Sequence, residues 1–214
     1  MKIDKYYICH YSKLSERRVY VENHIKQYKL DTKWVLEYDK EEITSEVLDK
    51  FPKILDYNTN IHRKLSMSEI SLVLKHFHIF NDMIKNKYNN IVVFEDDIIL
   101  VEEFDKKLES YTNQLDNDYD ILWIGSCCNL HTLKTSNDIN VYRCERGSRC
   151  THAYVISRKA CEKIIQVLDS INEPIDWFFN KIIKQLNLNI YCAEPELSIQ
   201  DLSFNSAINC GTVL

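Results

Sequence analysis

The sequence predicts an α/β fold, a mostly parallel central sheet flanked by helices with a small antiparallel piece. Three observations predict it. Short apolar, β-branched runs alternate with helically spaced apolar residues through the first half of the chain. One run, Ile91-Val92-Val93-Phe94, is apolar throughout, as strands buried on both faces are. The 214 residues suit one domain, 1–214, with a sizeable core, and no linker, repeat or low-complexity tract divides them.

The elements follow in order. Tyr6-Tyr7-Ile8-Cys9 reads as the first strand. Leu14, Arg18, Val21, Ile25 and Tyr28 recur at helical spacing, with Ser15 as the expected N-cap. Trp34-Val35-Leu36-Glu37-Tyr38 reads as a second strand, and the polar stretch 39–64, with Pro52, as short helices and loops. Ser66-Met67-Ser68-Glu69 is a capping box, continued by Ile70, Val73, Phe77, Phe80 and Ile84 on one helix face. Asp120 to Gly125 reads as another buried strand. Val141 to Cys144 and Ala153 to Ile156 read as a hairpin around 145–151. Helices over 158–170 and 175–187 and a strand from Asn189 to Cys192 complete the pattern.

Composition excludes several classes. Hydrophobic residues make up 45% and charged residues 28%, an ordinary soluble composition. The net charge of -5 argues against nucleic-acid binding, which needs a basic surface. No stretch approaches the roughly 18 apolar residues of a membrane span. Met1-Lys2-Ile3-Asp4-Lys5 lacks a secretory pattern, so a cytoplasmic protein is expected. Eight cysteines are present, but no CxxC pair, so zinc-ribbon spacing is missing. The expected hairpin would allow a Cys144–Cys150 bridge. Oligomeric state is not readable from these features.

Ligands of open α/β sheets bind beyond the carboxyl ends of the strands. Cys9-His10-Tyr11 and Glu95-Asp96-Asp97 sit there. Three adjacent carboxylates repel one another, and a divalent cation with a taste for oxygen relieves that repulsion. The alternative is a solvated acidic turn. Asp176, in Pro174-Ile175-Asp176, either complements the dipole of the helix it opens or serves as a general base. Glu69 and His76 share one helix face. The capping box accounts for Glu69, and His76 reads as a hydrogen-bonded histidine near the core. Arg17 and Arg18 are a solvated pair or supply a phosphate contact. His152 enters a strand from a loop and can face the same cleft. No Walker loop, GxGxxG or GxSxG occurs.

Taken in order, these segments resemble glycosyltransferase family 25. Tyr7-Ile8 and Ser15-Glu16-Arg17-Arg18 are similar to its opening strand and helix start, and Leu65-Ser66-Met67-Ser68-Glu69-Ile70, with His76, to its Leu-Ser-x-Gly-Glu-Ile helix and histidine. Val93-Phe94-Glu95-Asp96-Asp97 resembles its acidic motif. Tyr119 to Gly125, Thr151 to Ser157, Pro174-Ile175-Asp176-Trp177 and Pro195 to Gln200 complete the match. The chain departs from the family pattern at Cys9-His10, Ser68, Ser71-Leu72 and Lys75.

The resemblance implies a GT-A-type, Rossmann-like fold and a UDP-sugar donor. It implies Mn²⁺ or Mg²⁺ on Asp96 and Asp97, and inversion at the anomeric carbon. Tyr7, Ile8, Arg17, Glu69, His76, Glu95, Asp96 and His152 would bind the donor. Asp176 would be the base for a hydroxyl of a glycan or protein acceptor, and the sugar a hexose, galactose or glucose. Two rival readings stay open: a nucleotide-sugar-binding domain without turnover, and a metal-dependent phosphoesterase.

Overall fold

The computed structural model describes residues 1–50, 53–54, 63–127, 139–168 and 170–204. Pro52, Cys128 and Cys210 lie outside them. In chain order the first elements are β1 (Lys5–Cys9), α1 (Ser15–Ile25), β2 (Thr32–Val35), α2 (Ser45–Leu48), β3 (Lys53–Ile54) and α3 (Met67–Lys85). Next come β4 (Asn90–Glu95), β5 (Ile98–Leu100), α4 (Phe104–Thr112), β6 (Ile121–Gly125), β7 (Val141–Cys144) and β8 (Ala153–Ser157). The last are α5 (Arg158–Gln166), β9 (Ser170–Ile171), α6 (Ile175–Leu186), β10 (Ile190–Ala193) and β11 (Ser198–Gln200).

Seven strands form the main sheet in the order β2-β1-β4-β8-β6-β10-β7. β2, β1, β4, β6 and β10 run one way, and β8 and β7 run against them. Alternation along the central strands buries both faces. Tyr7, Val93, Trp123 and Tyr154 point to the core under α3, α5 and α6, while Ile8, Phe94, Leu122 and Val155 point to the core under α1 and α4. The acidic triplet follows from this. β4 is central and apolar, so its polar continuation emerges at the carboxyl edge of the sheet.

The capping box forms as expected: Ser66 Oγ accepts from the Glu69 amide at 3.2 Å and Glu69 Oε2 accepts from the Ser66 amide at 2.8 Å. Other expectations are corrected. Leu14, not Ser15, occupies the cap position of α1 and makes no side-chain bond there. β2 ends at Val35, before Tyr38 turns through a positive φ of 66°. The expected hairpin does not form. All five residues of β8 are buried, and the strand takes the slot between β4 and β6. β7 buries only its end residues, Val141 and Cys144, and pairs at the sheet edge with β10. Cys144–Cys192 joins the paired strands β7 and β10, and Cys127–Cys150 joins the segments that follow β6 and precede β8, so the Cys144–Cys150 bridge does not form. β5 and α4 were not anticipated. Among the described residues no helix is long and apolar enough to cross a membrane.

Candidate functional site

A pocket opens at the carboxyl edge of β1 and β4. Cys9, His10 and Tyr11 line it from the end of β1, Glu95, Asp96 and Asp97 from the end of β4, and Ser68, Ser71, Leu72 and Lys75 from α3. Arg17, Lys40 and Gln200 close it. Arg17, Lys40 and Lys75 thus share the lining with the three acids, the Lys75 ammonium being held by Asp39 at 2.8 Å. Every position at which the sequence departs from the family pattern (9, 10, 68, 71, 72 and 75) lies in this wall.

The three acids have different surroundings. Asp96 has both oxygens engaged, Oδ2 with His10 Nδ1 at 2.5 Å and Oδ1 with Arg17 Nη1 at 2.8 Å. Burial pushes this carboxyl up, but the bonds from His10 and Arg17 outweigh it and hold it below the usual range. Asp96 is therefore held ionised, with each oxygen accepting one hydrogen bond and keeping a second lone pair. Asp97 is the reverse. Gln200 Nε2 donates to Oδ2 at 3.0 Å, while Oδ1 is buried with no partner among the described residues. Burial and then the charge of Asp96 raise its pKa. Glu95 accepts from Thr151 Oγ1 at 2.5 Å. Burial first, then Asp97, pushes it up to about 8. Crowded, desolvated carboxylates with an unsatisfied oxygen are a donor set that a hard divalent cation fits.

The lid of the site is β11. It pairs antiparallel with β5, and the Asp201 amide donates to the Asp97 carbonyl at 2.6 Å. Gly125 permits this closeness. A Cβ there would stand 2.7 Å from the Ser198 carbonyl and would also meet the His152 ring. Beyond β11, Phe204 packs its ring 4.9 Å from the Arg17 guanidinium carbon.

The other expected residues are spread more widely. Tyr7 donates its hydroxyl to Asp82 at 2.5 Å, and Ile8 is fully buried on the opposite face of the sheet. His76 is buried under Tyr154, whose hydroxyl lies 2.7 Å from Nδ1, and burial lowers its pKa to about 3. None of these three side chains lines the pocket. Glu69 is buried, held by its capping box and by two bonds from Arg63 at 2.7 and 2.6 Å. His152 gives its carbonyl to the Glu95 amide at 2.9 Å, while burial lowers its ring pKa. Asp176 opens α6, half-buried. Burial raises its pKa, backbone amides oppose that, and its charge is felt at Glu95. Lys40 was missed because it stands in no local pattern; Gln200 ends the matched segment Pro195 to Gln200, but only the tertiary fold brings it to the acids.

An α/β sheet of this order is a GT-A-type fold. The chain belongs to glycosyltransferase family 25 (LPS biosynthesis protein), whose model matches residues 3–179. It is 25% identical over 166 residues to the lipooligosaccharide biosynthesis protein lex-1 of Haemophilus influenzae, covering 71% of this chain. The matched part spans about half, 55%, of that relative. Among solved structures it is similar to a glycosyltransferase involved in glycosylation of the major capsid of PBCV-1. The TM-score is 0.52 at 7% identity, over 94% of this chain and 93% of that one.

Proposed function

We propose that this chain moves a hexose, galactose or glucose, from a UDP-sugar to a hydroxyl of a glycan or protein, with inversion and with Mn²⁺ or Mg²⁺. Membership of family 25 supports glycosyl transfer. The lipooligosaccharide role of its relative favours a glycan acceptor. The observation that carries the reading is the buried, partnerless Oδ1 of Asp97 in a pocket that also holds Arg17 and Lys40.

Asp97 would hold the metal with Glu95 beside it, and the metal would supply positive charge for the departing nucleotide diphosphate. Arg17 and Lys40 would supply positive charge to the donor's phosphates. Arg17 is itself fixed by Asp96, so its guanidinium is pre-oriented. Asp176 takes the proton of the acceptor hydroxyl. Its raised pKa makes it a stronger base than an ordinary aspartate.

The test is transfer from UDP-Gal and UDP-Glc to a glycan acceptor by the wild type and by Asp176→Asn. The variant should retain donor binding and lose about 100-fold or more in kcat. Equal turnover would leave Asp176 only its place in the helix dipole. Donor binding with no transfer by the wild type would mark a non-catalytic domain. Release of phosphate alone would mark a phosphoesterase.

A further inference from the structure

Next to the acidic pocket, and sharing Gln200 with it, three metal-ligand side chains converge from distant parts of the chain. Cys127 follows β6, Cys150 lies between β7 and β8, and His152 stands one residue before β8. Their ligand atoms all lie within 4.8 Å of one another. The set is graded in burial: Cys127 is exposed, Cys150 half-buried and His152 1% exposed. The cysteines are joined to each other in this structure, with Cα atoms 5.5 Å apart. That bond leaves the histidine unanswered. His152 Nδ1 is buried with no hydrogen-bond partner among the described residues, and Nε2 has only the Ser198 carbonyl at 3.4 Å. A buried ring with one nitrogen unpartnered and the other held only at 3.4 Å is costly, and a cation on either nitrogen would lower that cost.

We propose that, with the cysteines reduced, Cys127, Cys150 and His152 form a site for a thiophilic cation of the Zn²⁺ type. Two thiolates and one imidazole are the ligand chemistry such ions select, and they set the site apart from the all-oxygen acids of the pocket. Three protein ligands leave a fourth position. Gln200 Oε1 stands beside it, 3.6 Å from Cys127 Sγ and 4.0 Å from Cys150 Sγ. Formation of the site balances simply. A dithiol reductant gives two electrons and two protons to the disulfide and is itself oxidised to a disulfide. The two thiols then release two protons as the divalent cation binds. The sequence spacing hides the site, because the cysteines are 23 residues apart and carry no CxxC pattern.

The test uses the full chain, reduced with a dithiol, desalted without oxygen and titrated with Co²⁺. The expected result is intense thiolate-to-cobalt charge-transfer absorption, bleached by Zn²⁺; Co²⁺ taken by the carboxylates of the acidic pocket gives no such band. The band should vanish in Cys127→Ser, in Cys150→Ser and in the oxidised wild type. It should persist in Asp97→Asn, so the outcome is independent of the acidic pocket. Fully reduced wild type that gives no band, or a band that survives both serine variants, overturns the proposal.

Discussion

Asp97 and Asp120 are aspartates at the ends of central strands, on opposite edges of the same sheet, Asp97 half-buried and Asp120 fully buried. Asp120 precedes β6 and is fully satisfied. Lys163 Nζ lies 3.1 Å from each oxygen and the Asn189 amide donates at 2.9 Å. Asp97 follows β4, has one oxygen without a partner among the described residues, and sits beside two further acids. The first arrangement holds the fold together. The second costs stability and makes sense only where something else completes it. What its oxygens are bonded to separates an acid that serves the structure from one that serves function.

The largest expected effect breaks that contrast at Asp97. Asp97→Asn should lower transfer by about 100-fold or more, as loss of a central electrostatic group does. Its melting temperature should not fall, because one of three crowded charges is gone. Asp120→Ala should do the opposite. It strands Lys163 and the Asn189 amide, so a denaturant titration should show about 2 kcal/mol lost, with donor KM unchanged. Lys163 is partly exposed, which limits the loss. Gly125→Ala comes next. Its Cβ has no room against Ser198 and His152, so stability should fall by about 1–3 kcal/mol. Donor affinity should fall with it as β11 shifts Gln200.

The smallest effect is on pH dependence. Glu95 is raised from 4.5 to about 8. Its contribution to stability is complete below 4.5 and is lost as pH rises towards 8. Buried neutral His76 works the other way, but its window closes above 6.5. Between pH 7 and 8, therefore, the melting temperature of metal-free protein should fall. Added Mn²⁺ should cancel the fall, because it favours the ionised carboxylates. A melting temperature that rises over that interval without metal would contradict the placement of Glu95.

What the sequence makes legible is local. The capping box at Ser66, the apolar run of β4 and the acids that end it are read from adjacent residues, and they place one wall of the pocket correctly. What depends on distant partners is not legible. β8 and β7 look like a hairpin because both are apolar runs around a short loop, yet burial on both faces draws β8 between β4 and β6. The engagement of Asp96 by His10 and Arg17 spans 86 and 79 residues, and that of Asp97 by Gln200 spans 103. No spacing rule reaches so far. Family motif residues such as Tyr7 and His76 hold the core beneath the site, while the departures at His10, Ser68 and Lys75 line its wall.

The most direct measurement is calorimetric titration of UDP into the protein with Mn²⁺ and again with a chelator, in wild type, Asp97→Asn and Asp120→Asn. Binding should require the metal, survive in Asp120→Asn and disappear in Asp97→Asn. Equal binding in chelator, or an Asp97→Asn protein that binds UDP and Mn²⁺ as the wild type does, would contradict the acidic mouth of β4 as a metal and nucleotide site.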